Sequence, residues 1–283
     1  LRLARDTSDS DTQRRAMRTI RCLASCPWGR DLLWKETGFI TQLTSSLKMN
    51  GSDVSTCVQI CETIVHLTQD TIDRLKDVGP ALEVSLIQMI EGRKELLENV
   101  GSEKSVDEFA ALLAAAYRAL FICLERSPWK RRSDSYFSNA FFDSILAHCK
   151  FGKEKTHSPI SKLLLKIAAE EMGTTYLADN DENPGSSDQE RKPLVSLPKV
   201  LLSPTVLDTI TELLLPLGPQ FEQSRHDALK VVQILLGNDK NKSILAQNEG
   251  LLSAIVDFAL ASPDNDEKKQ LAKQMIMDLV PEL

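Results

Sequence analysis

The spacing of apolar residues between positions 226 and 260 predicts three consecutive helices. Apolar side chains recur three or four residues apart and stop at Gly237, as expected for one buried face of a helix: Ala228, Leu229, Val232, Leu235 and Leu236. A short polar helix then leads to Gly250, and Leu251 begins a third, apolar helix.

The same layout occurs near the N-terminus, in residues 13–47. Aligned without a gap, Ala16 falls on Ala228 and Gly38 falls on Gly250, 212 positions later. That separation equals five units of about 42 residues, a period typical of armadillo and HEAT repeats. The segment from Cys22 to Trp28 also resembles the one from Cys123 to Trp129; in both we expect proline to stop the long helix and tryptophan to pack over its end.

The remaining pattern predicts an all-α chain built from further helices of this kind. Ser105 and Glu108 are spaced as a capping box, and residues 109–124 are apolar almost all round. Residues 178–198 are rich in acidic residues, serine and proline, so we expect a disordered loop there; it could be a regulated segment, fold onto a basic face, or have no role. The predicted helices cover residues 12–26, 28–36, 38–49, 52–68, 82–90, 109–124, 137–149, 158–172, 201–217 and 265–283, besides the three described first.

In residues 16–25 and 228–237 the sequences AMRTIRCLAS and ALKVVQILLG resemble the long third helix of armadillo repeats. The resemblance implies one right-handed α-solenoid of about five repeats over residues 1–283. Armadillo proteins that hold extended peptides use tryptophan and asparagine ladders along a concave groove. Here Arg18, Gln59, Ala119 and Lys230 occupy the tryptophan positions, and Cys22, Thr63, Cys123 and Ile234 the asparagine positions, so the groove must use different chemistry.

The net charge and the cysteines of the chain exclude some classes of function and favour others. The net charge of −6 argues against bulk binding to nucleic acid or to an anionic membrane. The six cysteines lie in apolar helical patterns and are interpreted as reduced, buried side chains, which favours an intracellular location, cytoplasmic or nuclear. The chain opens with Leu1, which suggests a fragment, so the missing targeting signal has no weight.

Arginines on the first long helix form the main candidate site. Arg14, Arg18 and Arg21 are spaced to share one helix face, where guanidinium groups could hold an acidic or phosphorylated peptide. Gln59, Thr63 and Lys230 are predicted to continue the contact surface. A second candidate is Trp129 with Arg131 and Arg132, beside Arg126 and Lys130. Each set could instead be an ordinary solvated surface.

We find no sequence signal for catalysis, a metal or a cofactor. The four histidines are scattered, the Cys-x3-Cys pairs lie on helices, and no glycine-rich phosphate loop is present. The sequence therefore predicts a non-enzymatic scaffold or adaptor that binds a partner protein on the concave face. The alternative is an armadillo-type regulator, an exchange factor or chaperone, of a nucleotide-cycling or motor protein.

Overall fold

A computed structural model of the chain describes residues 9–48, 53–69, 72–94, 103–126, 138–179, 200–263 and 266–282. Within these ranges the regular structure is entirely helical, which confirms the all-α class. The chain divides into two compact units, Leu1–Pro159 and Ile160–Leu283. The single superhelix expected over residues 1–283 remains a prediction.

In its described residues the first unit has six helices and the start of a seventh. Their bounds are α1 Ser10–Ala24, α2 Pro27–Lys35, α3 Phe39–Lys48, α4 Val54–Leu67, α5 Ile72–Gly92, α6 Glu103–Arg126 and α7 Asn139–Asp179. The long helices pack in series, α1 on α4 and α4 on α6, while α3 packs on α5. Helix α6 contacts both α4 and α5, and most of its apolar side chains from Phe109 to Leu124 are buried, as the sequence predicts.

The described part of the second unit has the end of α7, five further helices and two short 3-10 turns. The helices are α8 Pro204–Leu214, α9 Glu222–Leu236, α10 Asp239–Ala246, α11 Glu249–Ala261 and α12 Glu267–Leu279, with 3-10 turns at Pro219–Phe221 and Val280–Glu282. Helix α8 packs on α9 and α11, and α12 packs on α9, α10 and α11.

Most helix starts follow local sequence chemistry. Asp9, Asp53, Asn238, Asn248 and Asp266 each precede a helix and accept hydrogen bonds from its first amides. Pro27 and Pro204 occupy the first turn, where the missing N–H costs nothing. Gly38 has φ +79° and turns the chain into α3, whereas Gly250 lies inside the first turn of α11.

Several predicted boundaries are wrong. Helix α5 runs through Gly79 and Pro80, which we expected to precede it, and α6 starts at Glu103, so Ser105 is inside the helix instead of capping it. Helix α7 continues to Asp179, past the predicted helix end at residue 172 and into the first two residues of the predicted loop. The rest of the predicted acidic loop, residues 180–198, lies outside the described residues.

Helix α7 was predicted as two separate helices, over residues 137–149 and 158–172. Its hydrogen bonds show a bend between these two segments. Thr156 Oγ1 donates to His148 O at 3.3 Å, and His157 Nε2 donates to Cys149 O at 3.0 Å. Residues eight apart on a straight α-helix are separated by about 12 Å along its axis, too far for these bonds. The axis therefore bends between residues 149 and 156.

Burial corrects two further expectations. Trp28 is 70% exposed and so does not pack over the end of α1. Cys22 and Cys26 are also exposed, because α1 ends at Ala24 and buries a different face. The interpretation as buried thiols is confirmed for the other cysteines: Cys57, Cys61, Cys123 and Cys149.

Among the described residues, no single helix is both long and apolar enough to cross a lipid bilayer. Helices α10 and α11 reach that length and composition only together, and they meet at a bend of 91°.

Candidate functional site

A cavity of about 410 Å³ lies between α1 and α4 in the first unit. Its size falls in the range of about 300–1,000 Å³ typical of ligand sites. Two helices supply its walls, and we call it the arginine cavity after its lining residues: Arg14, Arg15, Arg18, Arg21, Ser55 and Gln59.

Helix α1 is amphipathic, and this fixes the direction of its arginines. Met17, Ile20 and Ala24 are buried and recur at helical spacing on the face that packs against α4. The arginines occupy the adjoining face: Arg14, Arg15 and Arg18 are exposed and Arg21 is partly exposed. The packing of α1 on α4 therefore places the guanidinium groups at the edge of the helix interface.

Helix α4 contributes two neutral polar side chains one turn apart. Ser55 belongs to the first turn, where backbone N–H groups have no carbonyl partner within the helix and favour anions. Asp53 caps this turn, and its Oδ2 accepts from the Thr56 amide at 3.2 Å. Gln59 follows four residues after Ser55, and its Oε1 is buried with no hydrogen-bond partner among the described residues.

Two of the four arginines already hold carboxylates. Arg14 pairs with Asp11 on its own helix, and Arg21 Nη1 donates to Glu62 Oε2 at 2.5 Å, which joins α1 to α4. The hydrogen bond to Glu62 is the largest of the effects that raise the pKa of Arg21. Within the described part of the chain, Arg15 and Arg18 have no ion-pair partner, so the cavity keeps an excess of positive charge.

The structure brings together four of the predicted contact residues: Arg14, Arg18, Arg21 and Gln59. Sequence reasoning missed Arg15 and Ser55. Arg15 could have been found, because it lies three residues before Arg18 and so shares its helix face. Ser55 had no such signal, because its place depends on how α4 packs against α1.

Other predicted contact residues have different surroundings. Thr63 is fully buried and donates to Gln59 O at 2.7 Å, so it offers no surface to a partner, and Ala119 is also fully buried. Lys230 is partly buried in the second unit. The pKa of His226 is lowered there, first by the burial of His226 itself and then by the charge of Lys230. Trp129, Arg131 and Arg132 lie outside the described residues; Arg126 is the last residue of α6.

Elsewhere in the first unit the buried polar groups include Arg93 and several cysteine thiols. Arg93 Nη2 lies 3.5 Å from Cys57 Sγ, and desolvation raises the pKa of the Cys57, Cys61 and Cys123 thiols. Such thiols stay protonated at neutral pH and are poor nucleophiles and metal ligands. Among the described residues, no three His, Cys, Asp or Glu side chains converge on a possible metal position.

Comparison with known proteins does not assign the chain to a family. No protein-family model matches the sequence, and no curated protein matches it at a significant level.

Proposed function

We propose that this chain is a non-catalytic protein-interaction module that binds an anionic segment of a partner protein in the arginine cavity. The observation that carries the proposal is the convergence of four arginines on one cavity, two of them without a carboxylate partner in the described part of the chain. Guanidinium groups bind carboxylates and phosphates through paired, charge-assisted hydrogen bonds.

The packing of the long helices supports the proposal that this surface corresponds to the inner face of an armadillo-like solenoid. Helices α1, α4 and α6 pack in series, as third helices do along the inner face of such a solenoid. The cavity lies between the first two of them. In this proposal the partner segment lies along the concave face, and arginines replace the tryptophan and asparagine ladders.

Electrostatics also favours a short anionic segment of a partner over nonspecific binding to an extended polyanion. The whole chain carries a net charge of −6, which opposes nonspecific attraction to polyanions. A positive cavity on a negative protein selects a short anionic segment that enters it, because charges beyond about 10 Å are screened at ordinary ionic strength.

The test is affinity capture from cell extract with the wild-type chain and with an Arg15→Gln/Arg18→Gln variant. These two arginines are chosen because their removal leaves the Arg14–Asp11 and Arg21–Glu62 pairs intact. The matched control is Arg118→Gln, since Arg118 is an exposed arginine on α6 that does not line the cavity.

We expect at least one partner to be lost from the double variant and retained by the control. Capture is measured by quantitative mass spectrometry, and circular dichroism checks that all three proteins are equally helical. Identical partner sets for all three proteins would show that the arginine cavity is not the binding surface.

A further inference from the structure

We infer that the arginine cavity is specific for a phosphorylated serine or threonine within an extended peptide, in preference to a single aspartate or glutamate at the same position. This inference rests on the proposed function and specifies its ligand. Three features of the cavity carry it: its residual charge, the donors on its α4 wall, and the free acceptor of Gln59.

The residual charge matches one phosphate monoester. Four guanidinium groups line the cavity, and the carboxylates of Asp11 and Glu62 pair with two of them. Two positive charges remain, on Arg15 and Arg18. A phosphate monoester carries about −1.5 to −2 charges at neutral pH, whereas a single carboxylate carries about −1. One phosphate therefore neutralises the cavity, which a single aspartate or glutamate does not.

The donors also suit a tetrahedral oxyanion. Arg15 and Arg18 come from α1, while Ser55 offers a hydroxyl from the first turn of α4. Donors on two walls surround an anion from different directions, which three phosphate oxygens accept better than the two coplanar oxygens of a carboxylate.

Gln59 distinguishes a phosphopeptide from a free phosphate ion. Its Oε1 is buried and has no hydrogen-bond partner in the described part of the chain, so rotating the amide breaks no hydrogen bond there. The rotated carbonyl needs an N–H or O–H donor. A fully ionised phosphate monoester has only acceptors, but the peptide backbone on either side of a phosphoserine supplies amide N–H groups. In the proposed complex the cavity donates hydrogen bonds to the phosphate, and the Gln59 amide rotates to accept one from the chain that carries it.

The experiment measures binding of fluorescein-labelled degenerate peptides to the full chain by fluorescence anisotropy. Three libraries differ only at the central position, which is phosphoserine, aspartate or serine. We expect the phosphoserine library to bind about tenfold more tightly than the aspartate library, and the serine library to bind most weakly. The Arg15→Gln/Arg18→Gln variant should lose this preference, while Arg118→Gln should keep it.

Gln59→Leu separates the two sources of phosphate. We expect this variant to bind the phosphoserine library several-fold more weakly, whereas competition by inorganic phosphate stays unchanged. Equal weakening of both would show that the Gln59 amide contacts phosphate itself, and would overturn the assignment of a peptide ligand.

Equal binding of the phosphoserine and aspartate libraries would overturn the phosphate preference and leave the proposed function in place, provided both depend on Arg15 and Arg18. No binding of any library, together with identical partner capture by wild type and double variant, would refute the proposed function as well. Inorganic phosphate competing as strongly as the phosphopeptides would identify a free-anion site and overturn the inference.

Discussion

Tyr117 Oη lies 2.7 Å from His148 Nδ1, and both side chains are completely buried where α6 meets the first part of α7. His148 Nε2 is buried as well and has no hydrogen-bond partner among the described residues. A proton added to this imidazole would place a charge in an apolar core, where the described residues supply no counter-ion beside it. The pair therefore makes the stability of the first unit depend on pH.

The pH dependence has a defined direction. Burial, and secondarily the charge of Lys94, lowers the pKa of His148 to about 3. Histidine in an unfolded chain has a pKa of about 6.5, so between these values the unfolded state binds the proton more strongly. The contribution of His148 to stability is complete above about pH 6.5 and is lost as the pH falls towards about 3, by about 1.4 kcal/mol per pH unit.

We therefore expect the free energy of unfolding of the His148→Gln variant to fall less than that of the wild type as the pH is lowered. Between about pH 6.5 and about pH 5, urea denaturation should show the wild type losing about 2 kcal/mol more than the variant. The variant should be less stable near neutral pH, since Tyr117 loses its partner. Parallel profiles for the two proteins would contradict the buried, uncharged state of His148.

Close packing in the first unit leaves no room for a side chain at Gly29. A Cβ atom at this position would lie 2.0 Å from Leu23 O and 2.7 Å from Leu23 C, both backbone atoms that cannot move aside cheaply. We expect Gly29→Ala to lower the free energy of unfolding by about 1–3 kcal/mol or more, as overpacking does.

Gly92 provides the matched control for Gly29. A Cβ atom on Gly92, the last residue of α5, would meet nothing within 4 Å. Gly92→Ala should be neutral or should stabilise by about 0.4–1 kcal/mol through the unfolded state. Chemical denaturation of both variants checks the pair, and equal losses of stability would argue against the clash at Gly29.

The six thiols should separate into two classes of reactivity. Cys22 and Cys26 are exposed, whereas the other four are buried. An aromatic disulfide reagent should therefore modify two thiols quickly in the native protein and the rest only after unfolding. Cys22→Ser/Cys26→Ser should abolish the fast phase, and Cys123→Ser should leave it unchanged. Fast modification of more than two native thiols would be inconsistent with this packing.

Arg30 and Asn241 have the same structural role in the two units. Arg30 Nη1 donates to Ala24 O at 3.0 Å, and Asn241 Nδ2 donates to Leu235 O at 2.8 Å; each donor follows its acceptor by six residues. Both donors are buried, and each caps the last turn of the preceding helix.

Removing either cap should leave a buried carbonyl without its donor. We expect Arg30→Met and Asn241→Leu each to destabilise the chain by about 1–3 kcal/mol. Arg118→Met, at an exposed position, should change stability by less than about 0.5 kcal/mol. Thermal and urea denaturation test the prediction, which fails if the capping variants behave like the surface variant.

The sequence alone predicted the all-α class, most helix positions and most of the core. These features depend on short-range chemistry: apolar spacing selects the buried face, and Asp53 or Asn248 fixes a helix start through its own side chain. The same spacing rule placed Arg14, Arg18 and Arg21 on one face of α1, where the structure has them.

Only the tertiary structure decided which of these faces is covered. Thr63 and Ala119 were predicted to line a groove, but α4 and α6 are packed closely by their neighbours and both side chains are fully buried. Trp28 was predicted to pack inward and is exposed. The arginine cavity likewise requires Ser55 and Gln59 from α4 beside α1. Helical spacing determines which residues share a face, but the burial of that face depends on contacts between residues distant in the chain.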